Sequence, residues 1–294
     1  MNIVILGPGA IGSLWACHLQ RSGHRVSLLG RHLGEPYQRT FNGQTYHFPS
    51  AQTPELQQAD VVLVTVKAWQ VEQALQAWQN VLAPQTIIVL LHNGMGTAER
   101  VAKHFAQQPI LLATTTHGAY RPHSDTLEHT GLGDTFIGAY NHKGQQCTFI
   151  ADVFDHALSP VSWAEDIETK LWQKVIVNSA INPLTALYQC RNGDLLTQPD
   201  WAAQVEKLVF ESCEVANQSG QSLQSDEMLR LVHQVIRNTA SNYSSMQQDV
   251  FYQRPTEIDY ITGFILSKAK RHPMPVHLSV YQQLTQRPFV PESL

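Results

Sequence analysis

The four cysteines of this chain, Cys17, Cys147, Cys190 and Cys213, are scattered and form no CxxC pair. A chain of 294 residues does not need disulfide staples, so reduced thiols in a cytoplasmic compartment are the plain reading. No apolar run reaches membrane-spanning length, and the start, MNIVILGPGAIG, lacks the basic n-region of a signal peptide. Lysine- or arginine-rich runs are missing too, and the net charge is −4, so neither a nucleic acid nor a membrane is expected as partner. The 14 histidines include no HExxH and no compact Cys/His cluster, which argues against a metal. Without a GxSxG elbow the hydrolase reading fails as well. Charged residues make up only 15% against 43% hydrophobic, the balance of a compact globular protein.

What is present begins at the second residue. NIVIL (2–6) reads as a strand buried on both faces, GPGAIG follows at once, and SLWACHLQRSG reads as a helix stopping at Gly23 before the next strand, RVSLL (25–29). This strand–turn–helix–strand context makes GxGxxG informative. Gly7 allows the tight turn, Gly9 the approach of a diphosphate, and Gly12 close helix–sheet packing; Pro8, Ala10 and Ile11 complete the loop. A glycine-rich turn without a ligand is the competing reading. After RVSLL comes Gly30-Arg31-His32 where NAD-binding folds usually place an acid. A guanidinium there suits the 2′-phosphate of NADP, and a solvated surface arginine is the alternative.

The alternation continues through DVVLVTVK (60–67), a helix at 68–79, TIIVLLHNGMG (86–96), one more helix, and ILLATTTHGA (110–119). Lys67, Asn93 and Ala119 fall at or beyond strand ends, where a doubly wound sheet binds its ligands. TLEHTG and DTFIGAY suggest an antiparallel hairpin extending that sheet, 146–158 a helix, and PVSWAEDI a segment leading outwards. From 167 strand signals nearly vanish, and helices are expected at 167–188, 200–219, 226–250, 256–271 and 276–286. The expected architecture is therefore α/β: a Rossmann-type dinucleotide-binding domain over 1–166, an all-α domain over 167–294, and a cleft between them.

The first of these helices contains KLWQKVIVNSAINPLTAL (170–187), largely apolar yet carrying Lys174, Asn178 and Asn182 four residues apart. Steps of four drift by about 40°, so the three share one narrow face. A mostly buried helix must turn such a line towards something polar: solvent, a hydrogen-bond network or a substrate. Pro183 should end or kink the helix after Asn182. Further on, RPTEIDYITGF opens a helix with Thr256 as expected N-cap and Glu257 in the first turn, where the dipole favours a carboxylate. ASNYSSMQQD gathers Asn242, Ser244 and Ser245 within a turn, either as ligand contacts or as ordinary surface residues.

The motifs GPGAIG, VTVKAWQ, LLHNGMGT, ATTTHGA, LWQKVIVNSAINPLTAL, RNGDL, SSMQQD and TEIDYITGF, in that order, resemble those of the ketopantoate reductase (2-dehydropantoate 2-reductase) family over nearly the whole chain. The resemblance implies NADPH-dependent reduction of 2-dehydropantoate to pantoate, on the way to pantothenate and coenzyme A, by a monomer or homodimer. It implies Lys174 as catalytic acid, and Asn93, Asn178, Asn182, Asn192, Asn242 and Ser245 at or near the substrate. Gly7 to Gly12, Arg31, Lys67, Asn93, Ala119 and Glu257 would lie along the cofactor. The residues alone reach an NADP-dependent reductase of a small polar carbonyl. A sister reductase for another oxo acid and a non-catalytic NADPH sensor are the alternatives, and a sensor would have no need of Lys174.

Overall fold

The computed structural model of the chain describes residues 1–31, 34–270 and 272–286. The elements begin β1 (Asn2–Leu6), α1 (Ala10–Arg21), β2 (Arg25–Leu29), β3 (Tyr37–Phe41), β4 (Gln44–Phe48), α2 (Thr53–Gln57), β5 (Val61–Val64) and α3 (Val71–Gln76). They continue with β6 (Ile87–Leu91), α4 (Ala98–His104), β7 (Ile110–Thr115), β8 (Gly118–Tyr120), β9 (Thr126–Gly131), β10 (Thr135–Ala139), α5 (Phe149–Ala157) and β11 (Val161–Trp163). Helices follow to the end: α6 (Ile167–Tyr188), α7 (Pro199–Gln218), α8 (Ser225–Asn238), α9 (Ser245–Phe251), α10 (Ile258–Lys268) and α11 (Pro275–Thr285).

The chain divides into two compact units, Met1–His92 with Gly96–Lys170, and Asn93–Met95 with Leu171–Leu294. The sequence placed the boundary at 166; the division falls after Lys170 and assigns a three-residue loop to the second unit.

In the first unit seven strands lie in the order β11-β10-β7-β6-β5-β1-β2, parallel except for the β7–β10 pairing. Successive residues of β1, β5 and β6 are buried on opposite faces of the sheet. Ile3, Ile5, Val61, Leu63, Val89 and Leu91 share a core with Trp15 of α1 and Phe154 of α5. Val4, Leu6, Val62, Val64, Ile88 and Leu90 pack on the other face with Val71, Leu75 and Val101. Covering both faces explains the unbroken apolar runs of these strands.

A second sheet, β4-β3-β9-β8, has no counterpart in the sequence reading. Its hairpin turns at Asn42-Gly43, both with positive φ (50° and 76°), the backbone that a two-residue hairpin loop requires. The expected hairpin of TLEHTG with DTFIGAY does not form, because β9 joins the second sheet while β10 joins the first. Between them a Cβ on Gly133 would lie 2.4 Å from the Thr116 carbonyl carbon, so glycine lets the chain cross closely from one sheet to the other. The run 110–119 is split likewise: β7 stops at Thr115, and Ala119 sits within β8 of the second sheet. The segment expected to lead outwards adds β11 parallel to β10 instead.

Between α1 and the second sheet lies a polar layer. His18 is 7% exposed, its Nδ1 is 3.1 Å from the Ala157 carbonyl, and its ring rests against Phe41. His117 and His129 pair at 3.1 Å beside it.

The second unit is all helix apart from short turns. Helix α6 runs through it with Trp172, Val175, Ile176, Ala180, Ile181 and Leu184 buried against residues such as Leu208, Val209, Ile261 and Ile265. The helix does not end at Pro183 but continues to Tyr188. The missing N–H forfeits one bond, and apolar burial on both sides of the proline outweighs it. The helix expected over 226–250 is two, α8 and α9, because the intervening Thr239, Asn242 and Ser244 take local hydrogen bonds. Ser244 caps α9 by accepting the Gln247 amide at 3.0 Å, and the Asn242 carbonyl accepts the Asn192 amide at 3.0 Å.

Candidate active site

In the first unit the glycine-rich turn sits where β1 neighbours both β2 and β5, the point at which strand order reverses. Each glycine has a distinct demand. Gly7 has φ +101°, and a Cβ there would lie 2.6 Å from Val66. On Gly12 it would meet the Gly7 carbonyl oxygen at 2.3 Å and Thr65 Oγ1 at 2.4 Å, so Gly12 is needed for packing. On Gly9 it would meet nothing within 4 Å. The exposed Gly9 opens α1 with no side-chain cap, so the first-turn amides face an open approach. That combination fits a diphosphate.

Thr65, which no sequence motif singles out, donates Oγ1–H to the Gly7 carbonyl at 2.7 Å and ties the turn to the end of β5. Arg31 is exposed just past β2. Strand β5 ends at Val64, and Lys67, half-buried, heads a 3-10 turn with its amide donating to Gln70 Oε1 at 3.3 Å.

The second unit gathers another set. Loop Asn93–Met95 docks on the start of α10: the Met95 amide donates to the Tyr260 carbonyl at 2.9 Å. A Cβ on Gly94 would lie 2.6 Å from that same oxygen. Asn93 Nδ2 thereby donates to Glu257 Oε2 at 3.4 Å. Glu257, 4% exposed, is the N-cap of α10, one residue later than the sequence placed the cap. Its carboxylate acts on Lys174. Solvent reaches part of the Lys174 side chain, yet protein surrounds it closely, and desolvation pulls its pKa from 10.5 to about 8 against the opposing pull of Glu257.

Asn178 and Asn182 continue the line on α6, and among the described residues their side-chain amides take no hydrogen-bond partner. The buried hydroxyls of the same helix are engaged: Ser179 donates to the Ile176 carbonyl and Thr185 to those of Ile181 and Asn182. The structure thus brings Asn93, Lys174 and Glu257 together and leaves the Asn178 and Asn182 amides open. The remaining expected residues are engaged elsewhere or stand exposed. Asn192 Nδ2 donates to Thr239 Oγ1 at 2.9 Å, leaving its buried Oδ1 without a partner among the described residues. Asn242 and Ser245 are exposed around the start of α9.

Ser212, His277 and Glu211 are ordered like a hydrolytic triad, with Ser212 Oγ 3.0 Å from His277 Nε2 and His277 Nδ1 2.7 Å from Glu211 Oε2. Ser212 and His277 are wholly buried, and Glu211 also accepts the Val276 and His277 amides. This set caps α11 and ties it to α7; no substrate reaches it. Among the described residues no group of three or more His, Cys, Asp and Glu could hold a metal, and no helix is long and apolar enough to cross a membrane.

A doubly wound unit with a dinucleotide turn, followed by a helical unit presenting a lysine, a carboxylate and free amides, defines the class of dinucleotide-dependent oxidoreductases. Residues 3–142 match the family described as "Ketopantoate reductase PanE/ApbA", and residues 166–287 its C-terminal part. The chain belongs to the ketopantoate reductase family. It is 45% identical over 287 residues to the 2-dehydropantoate 2-reductase of Vibrio cholerae, covering 97% of each chain. The namesake from Yersinia pestis is 37% identical, with 98% of this chain and 95% of that one covered. Among solved structures, the probable 2-dehydropantoate 2-reductase of Bacillus subtilis superposes with a TM-score of 0.79 at 29% identity, over 97% of this chain and 99% of that one. D-mandelate dehydrogenase with NADH and anilino(oxo)acetate reaches 0.88 at 24% identity, over 97% of each chain, a likeness of fold.

Proposed function

We propose that this chain reduces 2-dehydropantoate to pantoate with NADPH. The observation that carries the reading is the face of α6. A lysine with its pKa drawn to about 8 stands beside the carboxylate of Glu257, and two amides next to it have no partner among the described residues.

The first unit holds the dinucleotide by Gly7, Pro8, Gly9, Ala10, Ile11 and Gly12, with Lys67 and Ala119 further along, and Arg31 supplies the preference for a 2′-phosphate. Bound there, NADPH supplies the hydride for C2 of the oxo acid. The remaining steps belong to side chains. Lys174 donates a hydrogen bond to the carbonyl oxygen and gives it a proton as negative charge develops there. Its lowered pKa eases that transfer while most of the population stays protonated near neutrality. Asn93, Asn178 and Asn182 orient the carboxylate and hydroxyl of a small polyhydroxy acid, donating and accepting without adding charge. Asn192, Asn242 and Ser245 complete the substrate's surroundings. Glu257 keeps Lys174 charged and holds Asn93. The four unpaired, buried cysteines support a reducing, cytoplasmic setting.

The test follows NADPH oxidation by purified protein with ketopantoate, with NADH and Lys174→Ala in parallel. Fast oxidation that collapses in the variant, and is slower with NADH, is expected. A wild type that binds NADPH yet leaves ketopantoate untouched overturns the reading, and a panel of other 2-oxo acids then identifies the substrate.

A further inference from the structure

The carbonyl of Pro8, inside the glycine-rich turn, accepts from three side chains. Ser13 Oγ–H donates to it at 3.2 Å, Arg39 Nη2 at 3.2 Å and Arg121 Nη1 at 2.8 Å. Arg39 Nε also donates to Ser13 Oγ at 2.8 Å, so one guanidinium fixes both the carbonyl and the hydroxyl that supports it. Arg39 comes from β3 and is 4% exposed. Arg121 comes from the loop after β8 and binds the Ser124 carbonyl as well.

Neither guanidinium has a carboxylate at ion-pair distance among the described residues. Asp125 attracts both only from farther off, and burial and mutual repulsion lower the Arg39 pKa to about 10. Two poorly neutralised cations under a backbone turn are costly, so their placement calls for a compensating role.

The role follows from what the Pro8 carbonyl does not do. It stands four residues before Gly12, the position from which it would accept the Gly12 amide and lengthen α1 by a step. That bond is not made: Ser13 to the Gly9 carbonyl is the first bond of the helix. Among the described residues the amides of Ala10, Ile11 and Gly12 have no backbone acceptor.

We propose that Arg39 and Arg121 are positioning residues for the dinucleotide diphosphate: they hold the Pro8 carbonyl off the Gly12 amide and keep the start of α1 open to an anion. The inference rests on the dinucleotide reading above and adds residues to it that lie outside the fingerprint. Because the clamp acts on the turn, it serves every ligand carrying the diphosphate, with or without a 2′-phosphate.

Calorimetric titration of NADPH, NADH and ADP-ribose against wild type, Arg39→Met and Arg121→Met tests it. Each variant is expected to raise all three Kd values by a common factor of about ten, the size of one charge-assisted bond. Arg121→Lys, which restores one donor, should recover part of the loss. A merely structural role would lower the melting temperature and leave the Kd values of the folded variants at wild type, which overturns the proposal. A loss confined to NADPH also overturns it, since it would mean direct contact with the 2′-phosphate. If Arg39→Met does not fold, the half-buried Arg121 carries the test alone. Wild type that binds none of the three ligands defeats the dinucleotide reading itself; wild type that binds while the variants bind equally well defeats only the clamp.

Discussion

Replacing Glu257 with Gln removes a charge and keeps the shape, and the structure says where the effect should appear. Two influences set the Lys174 pKa: desolvation lowers it, and the Glu257 carboxylate raises it, leaving it at about 8. Glu257→Gln deletes the second and keeps the first. An adjacent opposite charge is worth roughly one to three units, each about 1.4 kcal/mol. At pH 7 the protonated fraction of Lys174 then falls from about nine-tenths to about half for one unit lost, and to about a tenth for two. If Lys174 is the proton donor, kcat/KM for the oxo acid must decline above its pKa. The alkaline limb of the pH–rate profile should therefore move from near 8 to about 7 or below, and the variant should approach wild type at the acid end. The assay is the initial rate of NADPH oxidation at saturating cofactor across the pH range. A constant deficit at every pH, with the limb unmoved, would refute the electrostatic account and leave Glu257 as an anchor for Asn93.

Asn182→Leu should raise stability by about 1 kcal/mol, because the amide is 9% exposed and takes no partner among the described residues, while raising KM for the oxo acid; denaturant melts and steady-state kinetics check the two signs. Gly9→Ala should change unfolding free energy by no more than about 0.5 kcal/mol yet weaken dinucleotide binding, whereas Gly12→Ala should damage both, because only the second Cβ meets protein atoms. His18, buried beside Arg21, His117 and His129, has its pKa lowered from 6.5 to about 4, so the folded state resists a proton that the unfolded chain accepts. Its stability contribution is complete above pH 6.5 and lost as pH falls to about 4, about 3 kcal/mol at most. Denaturant melts of wild type and His18→Asn should show the variant less acid-sensitive across that window.

The parts of the fold legible in the sequence were those governed by local periodicity. The apolar runs of β1, β5 and β6 and the glycine spacing before α1 identified the doubly wound sheet, and the four-residue spacing of Lys174, Asn178 and Asn182 singled out one face of α6. The second sheet was missed although Asn42-Gly43, between alternating YQRTF and QTYHF, is a strong hairpin signal. The assignment of β9 and β10 to different sheets was not legible, because it depends on how closely Gly133 passes Thr116. Nor could spacing show that Arg39 and Arg121 meet at Pro8, since 82 positions separate them in the chain. At Pro183 the local rule for an end or a kink competed with the helical reading of 167–188, and the helix runs on to Tyr188 because apolar burial that only the assembled unit supplies outweighs the missing N–H.

The allocation of Asn93–Met95 to the second unit has a consequence for how this gene can be divided. The backbone passes from one unit to the other three times, after His92, Met95 and Lys170, so no single cut yields two self-sufficient halves. A fragment ending at Lys170 would carry Asn93 without Glu257, and a fragment starting at Leu171 would leave the Tyr260 carbonyl without the Met95 amide. A chimaera that exchanges helical units between relatives therefore has to carry these three residues along with the helices.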